Sequence, residues 1–324
     1  MSAHPNFPPS LSIAPNFTAS GLQRLSGLRG KDAFGVEAQR EAIEKYGIAG
    51  RVWEAAYALS NYVTCNGALE FEPQFIDDKL ANVAIVAIEL GSGTGIVSAR
   101  LAQSISSSRL DCIIATDLPD VCPLLERNLH GEFAQNHVFV RPLAWGNLDH
   151  AKDIAVEFGL SQTPDVGGSS RQLTHIICSD LASVYFPELL GPLLRSLIHL
   201  TSPFCTASST STPIKIIISY KVRSLSKETP FWAAFGLWFY FEPVLARRVH
   251  ATDECERGPW RQYGADDADR TFIFIGYRRP ESMLWEVPES DMDLIDGVGA
   301  QGTAMKKADD TFETILFMGI DDTP

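Results

Sequence analysis

From about residue 50 onward, short continuous apolar runs take turns with longer amphipathic ones. "VAIVAIEL", "DCIIATD", "HVFVRPLAW", "THIICSD" and "PIKIIISYK" are rich in Val and Ile. Runs of this kind read as strands covered on both faces. Between and after them, "GIVSARLAQSI", "VCPLLERNLHGEF", "AKDIAVEFGL", "PELLGPLLRSLIHL" and "ETPFWAAFGLWF" read as helices. Upstream, "VWEAAYALSNYV" sets Ala55, Ala56, Leu59, Tyr62 and Val63 at helical spacing. "EPVLARRV" and "TFIFIGYRR" follow as two late strands with no clear helix between them. The pattern predicts an α/β fold: a Rossmann-like, seven-stranded, mostly parallel sheet with helices on both faces and a terminal antiparallel hairpin.

The flanks differ in composition. Residues 1–30 are rich in Pro, Ser and Asn and read as a flexible arm. Residues 31–280 hold the alternating pattern, and residues 281–324 form an acidic extension in which "FETILFMGI" reads as a docking strand. "SQTPDVGGSSRQ" and "TSPFCTASSTSTP" read as flexible loops.

The chain has 324 residues, 45% of them hydrophobic, which suits one large domain. A net charge of -13 argues against a partner that is a nucleic-acid backbone. The six cysteines contain no C-x-x-C pair and read as free thiols in a reducing compartment, so no metal site is expected. The first residues lack the basic-then-apolar order of a signal peptide, although "NFT" at Asn16 to Thr18 matches a glycosylation acceptor. The apolar stretch "PFWAAFGLWFYFEPVLA" is cut by Glu242 and Pro243 before it could span a bilayer. These features lead to the expectation of a monomer in the cytoplasm, with the nucleus left open, and with no membrane attachment.

The clearest chemical signal is "AIELGSGTG". A strand ends at Glu89, then Gly91, Gly93 and Gly95 alternate before a helix. Glycines there permit a tight turn and let a ligand lie against backbone. The next strand ends in Asp117, followed by Leu118, where an acid can accept both ribose hydroxyls of an adenosine-bearing cofactor. No lysine follows the glycines, which excludes a triphosphate-binding loop.

"ELGSGTG" followed by "TDLPD" resembles the first two motifs of seven-stranded S-adenosylmethionine-dependent methyltransferases. "GRVWEAAYALSNYV", "PLAWGN", "SDLASVY" and "YKVRSLSKETPFW" narrow the resemblance to the protein-lysine methyltransferases of that fold, whose substrates include elongation factors and chaperones. The match runs from about Gly50 to Arg279. It implies S-adenosylmethionine as cofactor and a protein substrate carrying the target lysine. It places Trp53 beside the cofactor, Glu89, Gly91, Ser92, Gly93 and Gly95 around its amino-acid end, Asp117 and Leu118 at the ribose, Trp145 at the adenine and Ser179 near the sulfonium. Trp53 and Trp145 would serve equally as core aromatics.

In the resembling family an acid and a tyrosine spaced D-x-x-Y orient the acceptor amine. Here the pair is Asp180 and Tyr185, and Ala182 and Ser183 stretch the spacing by two residues. Three explanations stand open: a bulge that leaves both side chains in place, a displaced Tyr185, or a misplaced exon boundary. Arg223 matches a basic position near the acceptor face, and a solvated strand-end cation would look the same. The function implied is methyl transfer to a protein lysine. The alternatives are a small-molecule or other-side-chain methyltransferase, or a cofactor-binding pseudoenzyme.

Overall fold

A computed structural model describes residues 6–7, 11–17, 33–64, 67–76, 83–105, 111–130, 137–160, 171–180, 186–202, 213–249, 258–265 and 270–318. Its strands are β1 (Leu69–Glu72), β2 (Val86–Leu90), β3 (Cys112–Asp117), β4 (Val138–Pro142) and β5 (His175–Ser179). They continue with β6 (Lys215–Lys221), β7 (Phe239–Pro243), β8 (Leu245–Arg248), β9 (Arg261–Gln262) and β10 (Thr271–Arg278). The α-helices are α1 (Val36–Tyr46), α2 (Glu54–Thr64), α3 (Ile96–Ser104), α4 (Cys122–Leu129) and α5 (Leu148–Glu157). After these come α6 (Leu190–Leu200), α7 (Leu225–Trp238), α8 (Asp291–Ile295) and α9 (Thr311–Met318).

The main sheet runs β4-β3-β2-β5-β6-β10-β7. β2 pairs in parallel with β3 and β5, and β10 pairs antiparallel with β6 and β7. This is the expected Rossmann-like α/β arrangement. Alternation within the central strands explains why most of their positions are apolar. Val86, Ile88 and Leu90 face α5, α6 and α7, while Ala87 faces α2 and α3. Ile216 and Ile218 follow the first set, and Ile217 the second. A strand buried on both faces favours apolar side chains throughout, and the polar ones it holds, such as Glu89 and Ser219, are tied in by hydrogen bonds.

Two sequence readings change. The antiparallel partner of β10 is Phe239–Pro243, so "EPVLARRV" is split. Pro243 has no N–H to donate, and after Val244 the chain leaves the main sheet. It continues as β8, which joins β1 and β9 in a second, three-stranded antiparallel sheet. "FETILFMGI" contributes the helix α9, not a strand. Phe312, Ile315 and Leu316 share the i, i+3, i+4 spacing of one helical face, and that face packs on the core.

The C-terminal segment is built into the domain. Phe312 is buried and stacks on Trp232 with centroids 4.9 Å apart and planes 8° from parallel. A Cβ on Gly236 of α7 would fall 2.2 Å from Asp309 Oδ1, and one on Gly191 of α6 would fall 2.7 Å from Asp291 Cβ. Arg195 Nε donates to Asp291 Oδ1 at 2.7 Å. Among the described residues no helix is long and apolar enough to cross a membrane.

Candidate active site

From β2 the chain builds outward through β3 to β4 on one side, then crosses back to set β5 beside β2 on the other. The carboxyl ends of β2, β3 and β5 therefore meet at a topological switch point, where α/β sheets bind ligands. A cavity of about 260 Å³ opens there.

The glycine turn forms its floor. Gly91 and Gly93 hold φ values of 65° and 54°, in the left-handed region that favours glycine. A Cβ on Gly91 would lie 3.0 Å from Trp145 Cζ2, and one on Gly93 would lie 3.1 Å from the Ala49 carbonyl oxygen. Both therefore keep the turn thin. Gly95 serves packing instead. It precedes α3 and presses on Leu125 and Leu129, away from the cavity wall. Ser92 ties the turn to β3. Its N–H donates to the Thr116 carbonyl at 2.9 Å, and the Thr116 N–H donates to Ser92 Oγ at 3.1 Å.

Asp117 ends β3 in the wall. Its carboxylate accepts the Gly93 and Leu118 N–H groups, each at 2.8 Å. Withdrawal from water pushes its pKa up to about 6, against the pull of those two donors. Leu118 also faces the cavity. Glu89 does not: it is 1% exposed, and its Oε2 accepts the Ser98 N–H at 3.1 Å and the Ser98 hydroxyl at 2.5 Å. It braces the first turn of α3. Burial pushes its carboxyl up to about 7, with the hydrogen bonds from Ser98 and Ser92 opposing.

Trp145 flanks the turn from the far side, and Leu143 and Ala144 continue that wall. Trp53 lies in the near wall. Its Nε1–H donates to the Ile48 carbonyl at 3.0 Å, and the Arg51 and Arg223 guanidinium carbons sit 4.5 and 5.4 Å from its ring centroid. Ser179 and Asp180, at the end of β5, complete the mouth.

Asp180 has an unusual setting. Its φ is 55°, and its N–H donates to the Ser219 carbonyl at 3.0 Å. Its side chain is 3% exposed, and its two oxygens accept Nη1–H and Nη2–H of Arg223, each at 2.5 Å. Burial raises its pKa, and the Arg223 guanidinium opposes that rise. Arg223 also reaches Glu54 at 3.4 Å, and Glu54 pairs with Arg51 at 2.7 Å. The turn that presents Arg223 is set by the buried Glu228, whose Oε2 accepts the Ser224 N–H at 3.0 Å and the hydroxyl of Tyr220. Tyr185, Ala182 and Ser183 lie outside the described residues.

The structure thus brings Trp53, Gly91, Ser92, Gly93, Asp117, Leu118, Trp145, Ser179 and Asp180 around one cavity, and leaves Glu89 and Gly95 behind it. Sequence reasoning missed Asn6, Leu189 and Pro192 in the wall and the Arg51–Glu54 pair at its mouth. Arg51 and Glu54 flank Trp53 in "GRVWEA", which was the available signal.

Strand order, glycine turn and strand-end acid define a Rossmann-like cofactor-binding domain. Comparison with known proteins narrows this. The pattern of the lysine methyltransferase family matches residues 32–234. The chain belongs to the lysine methyltransferase family, whose methyl donor is S-adenosylmethionine. It is 27% identical over 190 residues to the protein-lysine N-methyltransferase EFM6 of Saccharomyces cerevisiae, a stretch covering 55% of this chain and 65% of the yeast protein. Similar solved structures include the O-methyltransferase from Bacillus cereus in complex with SAH, at 12% identity and a TM-score of 0.38. That match covers 81% of this chain and 98% of that one. A methyltransferase from Geobacter sulfurreducens matches at 14% identity and a TM-score of 0.37, over 82% of this chain and 98% of that one.

Proposed function

We propose that this protein transfers methyl from S-adenosylmethionine to a lysine side chain of another protein. The observation that carries the reading is the position of Asp180: a strand-end acid that lines the same cavity as the glycine turn and Asp117. The residues fit the cofactor. A Cβ at Gly91 or Gly93 would crowd the cradle against Trp145 or Ala49, and Asp117 offers acceptor oxygens where a ribose would need them. When bound, the cofactor supplies an electrophilic methyl on a sulfonium.

The chain's own residues then divide the work. Gly91, Ser92 and Gly93 hold the amino-acid end, Asp117 and Leu118 the ribose, and Trp145 the purine face. Trp53 and Ser179 line the approach to the sulfonium. Asp180 handles the acceptor amine. A lysine near its usual pKa of about 10.4 is protonated and has no lone pair to give. The apolar cavity disfavours that ammonium, and Asp180 accepts its N–H bonds. Arg223 uses one edge of the carboxylate; of its roughly four lone-pair sites, two stay open to the amine. Tyr185 is the second partner of the amine in this reading.

An elongation factor or chaperone is the substrate class we favour, on the resemblance of "GRVWEAAYALSNYV" and "SDLASVY" to that group. The net charge of -13 suits a basic docking face on that substrate, met in the cytoplasm by a monomeric enzyme. The test is transfer of radiolabelled methyl to a lysate from cells lacking the gene, followed by mass spectrometry of the labelled band. A labelled lysine, lost with Asp180→Asn, is the expected result. Label on a small molecule or on another side chain overturns the substrate class. Cofactor binding without any label favours a pseudoenzyme.

A further inference from the structure

The N-terminal segment meets the cavity and is anchored at two places. The Ile48 N–H donates to the Asn6 carbonyl at 2.9 Å, and Asn6 is 5% exposed in the cavity wall. Gly47, at φ 58°, permits that approach: a Cβ there would fall 1.7 Å from the Asn6 carbonyl oxygen. Further along, the Asn16 N–H donates to Gln39 Oε1 at 3.0 Å, and Gln39 Nε2 donates to the Asn16 carbonyl at 3.4 Å. The same Gln39 Oε1 accepts the N–H of Val52, a wall residue, at 3.0 Å. Gln39 is fully buried, so one side chain joins the arm to the cavity.

We infer that Asn6 is a cofactor-contacting residue, carried by an N-terminal strap whose described residues are 6–7 and 11–17 and of which Asn6 lines the cofactor cavity. The inference rests on the assignment of that cavity to S-adenosylmethionine. It extends the site beyond the family match, which begins at residue 32. The neighbouring wall at Ile48, Ala49 and Val52 is apolar, and Asn6 is the polar residue set beside them. A few placed polar groups in an apolar wall are what orient a small ligand. The anchor to Ile48 is a main-chain bond, so replacing the Asn6 side chain leaves that anchor in place.

A ligand that touches the strap binds its closed form better, and by linkage it must make opening rarer. Hydrogen exchange at the Ile48 amide reads that opening in the full chain. Saturating S-adenosylhomocysteine slows it by about 10-fold or more in this account. Asn6→Ala weakens S-adenosylhomocysteine binding by about 3- to 10-fold in calorimetry, the worth of one hydrogen bond, with thermal unfolding run alongside to show that the variant is folded. Ile48 exchange that ignores the ligand, or equal binding by Asn6→Ala and the parent, overturns the strap alone. A parent that binds no S-adenosylhomocysteine overturns the cofactor reading and the strap with it.

Discussion

Replacing Glu89 by Gln removes a buried titration without removing the acceptor that Ser98 uses. Glu89 is 1% exposed, and its carboxyl is raised from 4.5 to about 7 by burial. A raised acid is neutral at no cost below its unfolded pKa. It subtracts from stability as pH rises from the unfolded value through the folded one, because the unfolded carboxyl ionises freely in water and the buried one does not. Between about pH 6 and about pH 8.5 this group alone lowers the unfolding free energy by ~1.4 kcal/mol. Across the whole titration the loss is about 3 kcal/mol. Urea unfolding at several pH values measures it. The parent loses stability over that window by about 1.4 kcal/mol more than Glu89→Gln does. The new amide N–H groups shift the variant's baseline but not its slope, so the slope is the quantity to compare. Parallel curves for the two proteins would refute the claim that Glu89 is held near neutral pH by burial.

Asp117 is raised to about 6, so S-adenosylhomocysteine affinity should fall as pH drops through that value and the carboxyl loses acceptor capacity. In calorimetry Asp117→Asn should bind weakly and lose this pH dependence. Arg223→Gln leaves the Asp180 carboxylate buried without its cation. Unfolding free energy should drop by ~3–5 kcal/mol, and the acidic limb of the kcat/KM profile should move to higher pH. Phe312→Ala removes the ring stacked on Trp232, and chemical denaturation should report a loss of ~3–5 kcal/mol.

Much of the fold is legible because parallel strands buried on both faces are continuous apolar runs, as in "VAIVAIEL" and "PIKIIISYK". The glycine turn and Asp117 are legible for a related reason: their chemistry sits in consecutive residues at strand ends. The acceptor side is not. Asp180 and Arg223 are 43 positions apart, and their pairing depends on β5 and β6 lying side by side. Arg51 and Glu54 look like ordinary helix-start charges until α2 is placed at the cavity mouth. The last apolar stretch, "FETILFMGI", misleads because density and periodicity disagree in it. Its apolar content suggests a strand, but Phe312, Ile315 and Leu316 meet the core only as a helix. Asn6 is hidden in a stretch whose composition suggests a free arm, and only the left-handed turn at Gly47 lets it dock.

The clasp between Phe312 and Trp232 has a consequence for synthesis. A growing chain emerges N-terminus first, so the sheet and its glycine turn can assemble while the cover for one face of α7 is still inside the ribosome. Until α9 arrives, Trp232 and Phe274 lack the ring that closes over them. The nascent domain therefore passes through a stage with its cofactor cavity shaped but an aromatic face bare, when chaperones and proteases have their best access. Mutations in α9, far from the cavity, should show first as low abundance in the cell and only secondarily as altered chemistry.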